Sequence, residues 1–266
     1  SSSGGSLAGA SLPAASSSQP AAPAGGGQPA PDQAANKVSP VVSPAAGPSP
    51  SASPVATPAS NLRTSCRAVA HLGDSTSEGM VSPAYLPNAG QRLVAQYQDV
   101  GVHQVVTNIV GANSIVETLP GDTNDYNAAR NIVSQGFRGC WVIALGTNDT
   151  ADVAIGSDVG RMARIQEMMS VAHGEPVMWV DVISTLTSGP YAEANMQLWN
   201  TALRQACARY PNMRVFDWAS LAQPSWFISD GIHYTPAGYA QRAEQIAEAL
   251  AKAFPAKGHS KGCIVS

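Results

Sequence analysis

The sequence predicts an α/β/α sandwich around a five-stranded parallel sheet, preceded by a disordered tail. Three observations carry this. Composition changes sharply near residue 60. Beyond it, short apolar runs alternate five times with longer helical patterns, the signature of a parallel sheet covered on both faces. The apolar runs are also continuous, as in Cys-Trp-Val-Ile-Ala-Leu at 140–145, which reads as a strand buried on both sides.

Residues 1–60 hold eleven of the twenty prolines, no aromatic residue and two charges, Asp32 and Lys37. The rest is mainly Ala, Ser, Gly and Gln, too little apolar surface to offset the entropy of ordering. This segment reads as a semi-extended Pro/Ala/Ser/Gly-rich linker. Residues 61–257 read as one domain of a size that buries a sizeable core, and 258–266 as a C-terminal tail.

Within the domain, the first strand falls at 68–72 and ends in Gly73-Asp74-Ser75. A helical pattern follows at 89–97, then a strand at 104–109 and a helix at 126–134. The third strand, 141–145, runs into Gly146-Thr147-Asn148-Asp149. A helix at 159–171, a strand at 177–182, a helix at 192–209 and a strand at 214–216 complete the alternation. The last helix, 237–253, is the clearest: Ala240, Ala243, Ile246, Ala247 and Leu250 recur at helical spacing. Thr235 suits its N-cap and Pro236 its first turn. No internal repeat is visible.

The bulk numbers exclude several function classes. Net charge is −3 and no run of Lys or Arg appears, so the basic footprint of nucleic-acid binding is missing. No apolar run approaches the ~20 residues of a membrane helix. No His, Cys, Asp or Glu cluster has metal-ligand spacing, and no cofactor or metal is implied. The chain opens at Ser1 with no visible signal peptide, and is expected to be a fragment or a processed product. Cys66, Cys140, Cys207 and Cys263 are an even set beside a wall-like spacer, which points to an oxidising, extracytoplasmic setting. Four buried free thiols are the alternative. A monomeric domain is expected.

In an open doubly wound sheet, ligands sit beyond the carboxyl ends of the strands. The segments that leave those ends are Gly73-Asp74-Ser75, Val110-Gly111-Ala112-Asn113, Gly146-Thr147-Asn148-Asp149 and, after a loop, Ser229-Asp230-Gly231-Ile232-His233. Acyl transfer needs a nucleophile, a base, a group that orients the base, and oxyanion donors. Ser75 suits the nucleophile. His233 suits the base, because imidazole is largely neutral at pH 7. Asp230, three residues earlier, reaches the far ring nitrogen. The amides of Ser75 and Gly111 and the Asn148 side chain suit the oxyanion donors. Taken singly, Ser75 also reads as a helix cap, Asn148 as a turn residue and Asp74 as a structural turn acid. His71 falls inside a strand and reads as core; His103, His173 and His259 lack an acid placed as Asp230 is.

Four blocks in this order resemble the SGNH hydrolase family, the GDSL-type esterases and acyltransferases. They are GDSTSEG at 73–79, Gly111 in VGAN, GTND at 146–149 and DGIH at 230–233. The resemblance covers nearly all of 66–255. It implies a Ser75–His233–Asp230 triad, with Gly111 and Asn148 as oxyanion donors. Domains of this kind on a long spacer resemble the extracytoplasmic parts of envelope O-acyltransferases. That resemblance implies an acyl donor, a cell-wall glycan acceptor and a membrane acyltransferase module N-terminal to this chain. A secreted carbohydrate O-acetylesterase is the alternative, followed by a lipid or thioester hydrolase and a non-catalytic glycan-binding domain. The Ala/Gly/Pro-heavy composition is compatible with a high-GC bacterium.

Three further readings concern single residues. Trp226, four residues before Asp230, either stacks on a sugar, walls the acyl pocket or packs under the loop. Trp141, Trp179 and Trp218 read as core. All four cysteines are expected at the bottom of the sheet, paired Cys66–Cys263 and Cys140–Cys207, away from the active rim.

Overall fold

The computed structural model describes residues 61–260 and 262–266. The linker reading of 1–60 lies outside the described residues. The sheet has six strands, all parallel: β1 (Ala68–Gly73), β2 (Gln104–Ile109), β3 (Cys140–Ala144), β4 (Val177–Val180), β5 (Met213–Phe216) and β6 (Ile264–Val265), in the order β2-β1-β3-β4-β5-β6. The helices are α1 (Ser75–Val81), α2 (Leu93–Asp99), α3 (Asp125–Ser134), α4 (Thr147–Ala154), α5 (Arg161–Ala172), α6 (Glu193–Cys207), α7 (Trp218–Leu221) and α8 (Pro236–Ala253).

The continuous apolar strands divide their side chains between two cores, because successive side chains point to opposite faces. In β3, Trp141 and Ile143 join Ile132, Ile165, Met168 and Trp199 on one face. Cys140, Val142 and Ala144 join Leu93, Tyr97, Ile246 and Leu250 on the other. Helices α3, α5 and α6 cover the first face, and α1, α2 and α8 the second. Trp141, Trp179 and Trp218 are all buried, as a core role requires.

Register decides what meets at the rim. Gly73 lies beside Ile109 of β2 and Ala144 of β3. Ser75, Gly111 and Asn148 therefore leave the sheet at one level, from neighbouring strands. Between β1 and β3 the connections turn to opposite faces, so a crevice opens at this switch point.

Two expectations are corrected here. The sheet has six strands rather than five, because the tail segment Ile264–Val265 pairs beside Val215 and Phe216. This strand is too short for a periodic pattern, and only its ladder defines it. The disulfides are Cys66–Cys140 and Cys207–Cys263, not Cys66–Cys263 and Cys140–Cys207. Cys140 is paired in register with Val69 on the adjacent strand, which brings it next to Cys66. Cys263 leads into β6, four strand positions from β1. At about 4.8 Å per strand that is roughly 19 Å, beyond the reach of a disulfide to Cys66. Cys263 instead meets the end of α6 at Cys207.

No helix among the described residues is long and apolar enough to cross a membrane. Two disulfides fit an oxidising compartment.

Candidate active site

Asp74 ends the first strand and caps α1. Its Oδ1 accepts hydrogen bonds from the Thr76 amide at 2.9 Å and the Thr76 hydroxyl at 2.7 Å. The carboxyl is fully buried, and that burial raises its pKa. This is the structural role expected of it. Ser75 is the next residue, at the first position of α1. Gly79, four residues on, is required by packing: a Cβ there would lie 2.3 Å from the Tyr239 ring. Tyr239 in turn donates its hydroxyl to the Ser75 carbonyl at 3.3 Å. The glycine thus seats α1 against α8 with the serine at its rim end.

The loop after β5 brings the other two groups. Asp230 Oδ1 accepts the amides of Ile232 and His233, both at 2.9 Å, which folds the loop around the carboxylate. Its Oδ2 accepts from His233 Nδ1 at 2.7 Å. His233 Nε2 accepts from the Ser75 hydroxyl at 2.8 Å. These partners assign the tautomer: the proton sits on Nδ1 and Nε2 is free to receive one. Desolvation raises the Asp230 pKa slightly, but the two amides and the His233 ring outweigh it and hold the carboxyl below its ordinary value. His233 and Asp230 are 34% and 41% exposed, so the relay opens to solvent and to substrate.

The donors opposite the serine are set by a buried polar layer. Neither the Ser75 nor the Gly111 amide donates to another group among the described residues. Asn148 lies in the first turn of α4, which the sequence presents as a turn. Its Nδ2 donates to the Asn113 carbonyl at 2.9 Å, leaving its second hydrogen unused, and its Oδ1 accepts from the Tyr191 hydroxyl at 3.1 Å. Asp149 Oδ1 accepts the Ile115 amide at 3.0 Å and pairs with Arg164 at 2.8 Å. Arg164 grips Glu117 with both terminal nitrogens. The loop that carries Gly111 is therefore anchored at 113, 115 and 117. Burial raises Asp149 to about 7 despite Arg164. Glu117, its side chain 35% exposed, resists desolvation through Arg164 and Ser157 and is held at about 2.

Sequence reasoning missed Tyr191, Glu117 and Arg164. Tyr191 has no local signature. Arg164 reads as an ordinary surface residue of a helix until the loop folds over it. Trp226 is partly buried and stacks on Trp218 at 5.6 Å and 16°, which favours packing under the loop over a free platform. His71 is fully buried in β1, with Nδ1 2.8 Å from the Tyr97 hydroxyl; burial, helped by Arg242, lowers its pKa to about 3. No group of three or more His, Cys, Asp or Glu among the described residues is arranged to hold a metal ion.

A family model described as GDSL-like lipase/acylhydrolase matches residues 71–241, more than half of the chain. The chain belongs to that family. Solved structures agree on the fold. A lipase/acylhydrolase from Enterococcus faecalis shares 15% identity at a TM-score of 0.51, over 72% of this chain and 99% of that one. A carbohydrate acetylesterase from Sinorhizobium meliloti shares 17% at 0.53, over 71% and 100%. A second carbohydrate acetylesterase family member from Sinorhizobium meliloti shares 14% at 0.53, over 70% and 99%. No curated protein sequence matches the chain. Family and geometry together support an esterase acting by acyl-ester hydrolysis.

Proposed function

We propose that this GDSL domain transfers an acyl group, most simply acetyl, through a Ser75 acyl-enzyme to a hydroxyl of a cell-envelope glycan. The observation that carries the acyl-enzyme is the relay of 2.8 and 2.7 Å from Ser75 through His233 to Asp230. Ser75 Oγ attacks the ester carbonyl carbon while its proton passes to His233 Nε2. The oxyanion takes hydrogen bonds from the Ser75 and Gly111 amides and the unused Asn148 N–H. Collapse breaks the ester C–O bond, and the leaving oxygen takes the proton from Nε2. A glycan hydroxyl then gives its proton to Nε2 as its oxygen attacks the acyl carbon. Collapse returns that proton to Ser75.

The spacer at 1–60 supports a tethered domain that searches a wall, supplied by a membrane acyltransferase module upstream. A carbohydrate O-acetylesterase is the second reading. It needs the same residues, with water in place of the glycan hydroxyl, and the fold it would share is that of the acetylesterases from Sinorhizobium meliloti. The test is a product partition. The protein is given a chromogenic acetyl ester with and without cell-wall oligosaccharide, beside Ser75→Ala. Mass spectrometry then counts acetylated glycan against free acetate. Acetyl on the glycan that requires Ser75 supports transfer. Acetate alone, with glycan in excess, moves the esterase reading ahead.

A further inference from the structure

The five segments that leave the carboxyl edge of the sheet are 74–91, 110–124, 145–160, 181–192 and 217–235. Together they contain ten Asp and Glu residues and no Lys or Arg. Most of those carboxylates are accounted for. Arg164 holds Glu117, Asp149 and Asp152. Arg204 holds Asp181 and Asp217. Asp230 holds His233, and Asp74 is buried as a helix cap.

Three carboxylates, Glu78, Asp122 and Asp158, are exposed and have no side-chain hydrogen-bond or ion-pair partner among the described residues; of these, Glu78 is the one on the helix of Ser75. It stands three residues after Ser75 on α1, hence on the same side of the helix as the nucleophile. It also touches the oxyanion loop: a Cβ added to Gly111 would lie 2.8 Å from Glu78 Oε1. A lone carboxylate against an oxyanion donor opposes the charge that develops in the reaction. It works against catalysis unless the substrate brings a compensating positive charge.

We propose that Glu78 is a specificity-determining residue that receives a cationic amine of the substrate beside the scissile ester. The substrate class is an ester of an amine-bearing alcohol, such as an amino sugar with its nitrogen free. The unpaired Glu78 carboxylate draws such a substrate in and disfavours anionic esters. The inference rests on the acyl-ester reading and narrows it.

The test uses three acetyl esters that differ only in the leaving alcohol: one bears a trimethylammonium, one its neutral tert-butyl isostere, one a carboxylate. kcat/KM is measured for the wild type, Glu78→Gln and Glu78→Lys, at low and high salt. The wild type is expected to prefer the cationic over the neutral ester by about tenfold or more, and to take the anionic one worst. High salt should shrink the preference. Glu78→Gln should bring the cationic-to-neutral ratio near one, and Glu78→Lys should invert it. A wild-type ratio near one, or a ratio retained in Glu78→Gln, overturns this proposal alone. No turnover of any ester, with no acyl adduct on Ser75 by mass spectrometry, overturns the acyl-ester reading and this one with it.

Discussion

The molecule holds two histidines close to the same strand end, and they live in opposite chemistry. His233 stands on the rim, with one nitrogen on Asp230, the other on Ser75, and a third of its side chain in solvent. His71 lies in β1, fully buried against Tyr97, and stays neutral down to about pH 3. The carboxylates divide in the same way. Asp230 is solvated and bonded by amides, and stays ionised. Asp149 and Asp181 are buried, and burial raises each to about 7. Residue type is shared between the two regions; solvent access decides what each group can do. The rim carries the Ser75–His233–Asp230 hydrogen bonds, and the layer beneath holds the rim in place.

The rim should be separable from the layer. Ser75→Ala is expected to cut kcat/KM by about 10⁴-fold or more, roughly 5 kcal/mol, while leaving the urea midpoint nearly unchanged. A large loss of stability would mean that the serine belongs to the layer after all.

The converse break is Arg164→Ala. It leaves Asp149 buried without its cation, and is expected to cost about 3–5 kcal/mol of unfolding free energy. Denaturant unfolding at pH 7 measures this. Activity should fall too, because the Gly111 loop loses its anchor at Glu117. Unchanged stability would show that Asp149 is satisfied without Arg164.

Acid separates the folded from the unfolded chain at His71. Folded His71 stays neutral down to about pH 3, whereas the unfolded chain protonates it below about 6.5. In that window the unfolded state binds more protons, so this group makes stability fall as pH falls. Asp149 and Asp181 act oppositely, since their raised folded pKa values favour the folded state as pH drops toward 4. Comparison with His71→Gln cancels them. Between pH 7 and 5 the wild type should lose about 1–2 kcal/mol more than the variant. Parallel pH curves would refute a buried neutral His71.

The smallest effect tests the joint between the regions. Tyr191→Phe removes the hydroxyl that orients the Asn148 amide. It should lower kcat by about two- to tenfold, with KM little altered, in line with one hydrogen bond of roughly 0.5–1.5 kcal/mol. Asn148→Ala should cost far more, about 10²–10³ in kcat. Equal losses would make Tyr191 a partner of the substrate rather than of Asn148.

Much of the site was legible because its parts sit just after strands. Apolar runs marked the strand ends; Ser75, Gly111 and Asn148 follow theirs within four residues, whereas Asp230 and His233 come only after the longer loop that leaves β5. The parts that were not legible depend on neighbours. The first turn of α4, Thr-Asn-Asp-Thr, favours turns by local propensity, yet it is helical. Asp149 is held there by Arg164 and the Ile115 amide. Tyr191 lies in a loop with no period to read.

The sequence by itself determined the alternation of strand and helix, the parallel sheet and the residues placed after the strand ends. These follow from local runs and spacing, which a linear reading can see. Tertiary structure alone decided the strand order, the sixth strand, the cysteine partners and the neutral state of buried His71. Each of those depends on which segments lie side by side and on how much water reaches them. Both are set by the packing of the whole sheet and not by any residue's near neighbours in the chain.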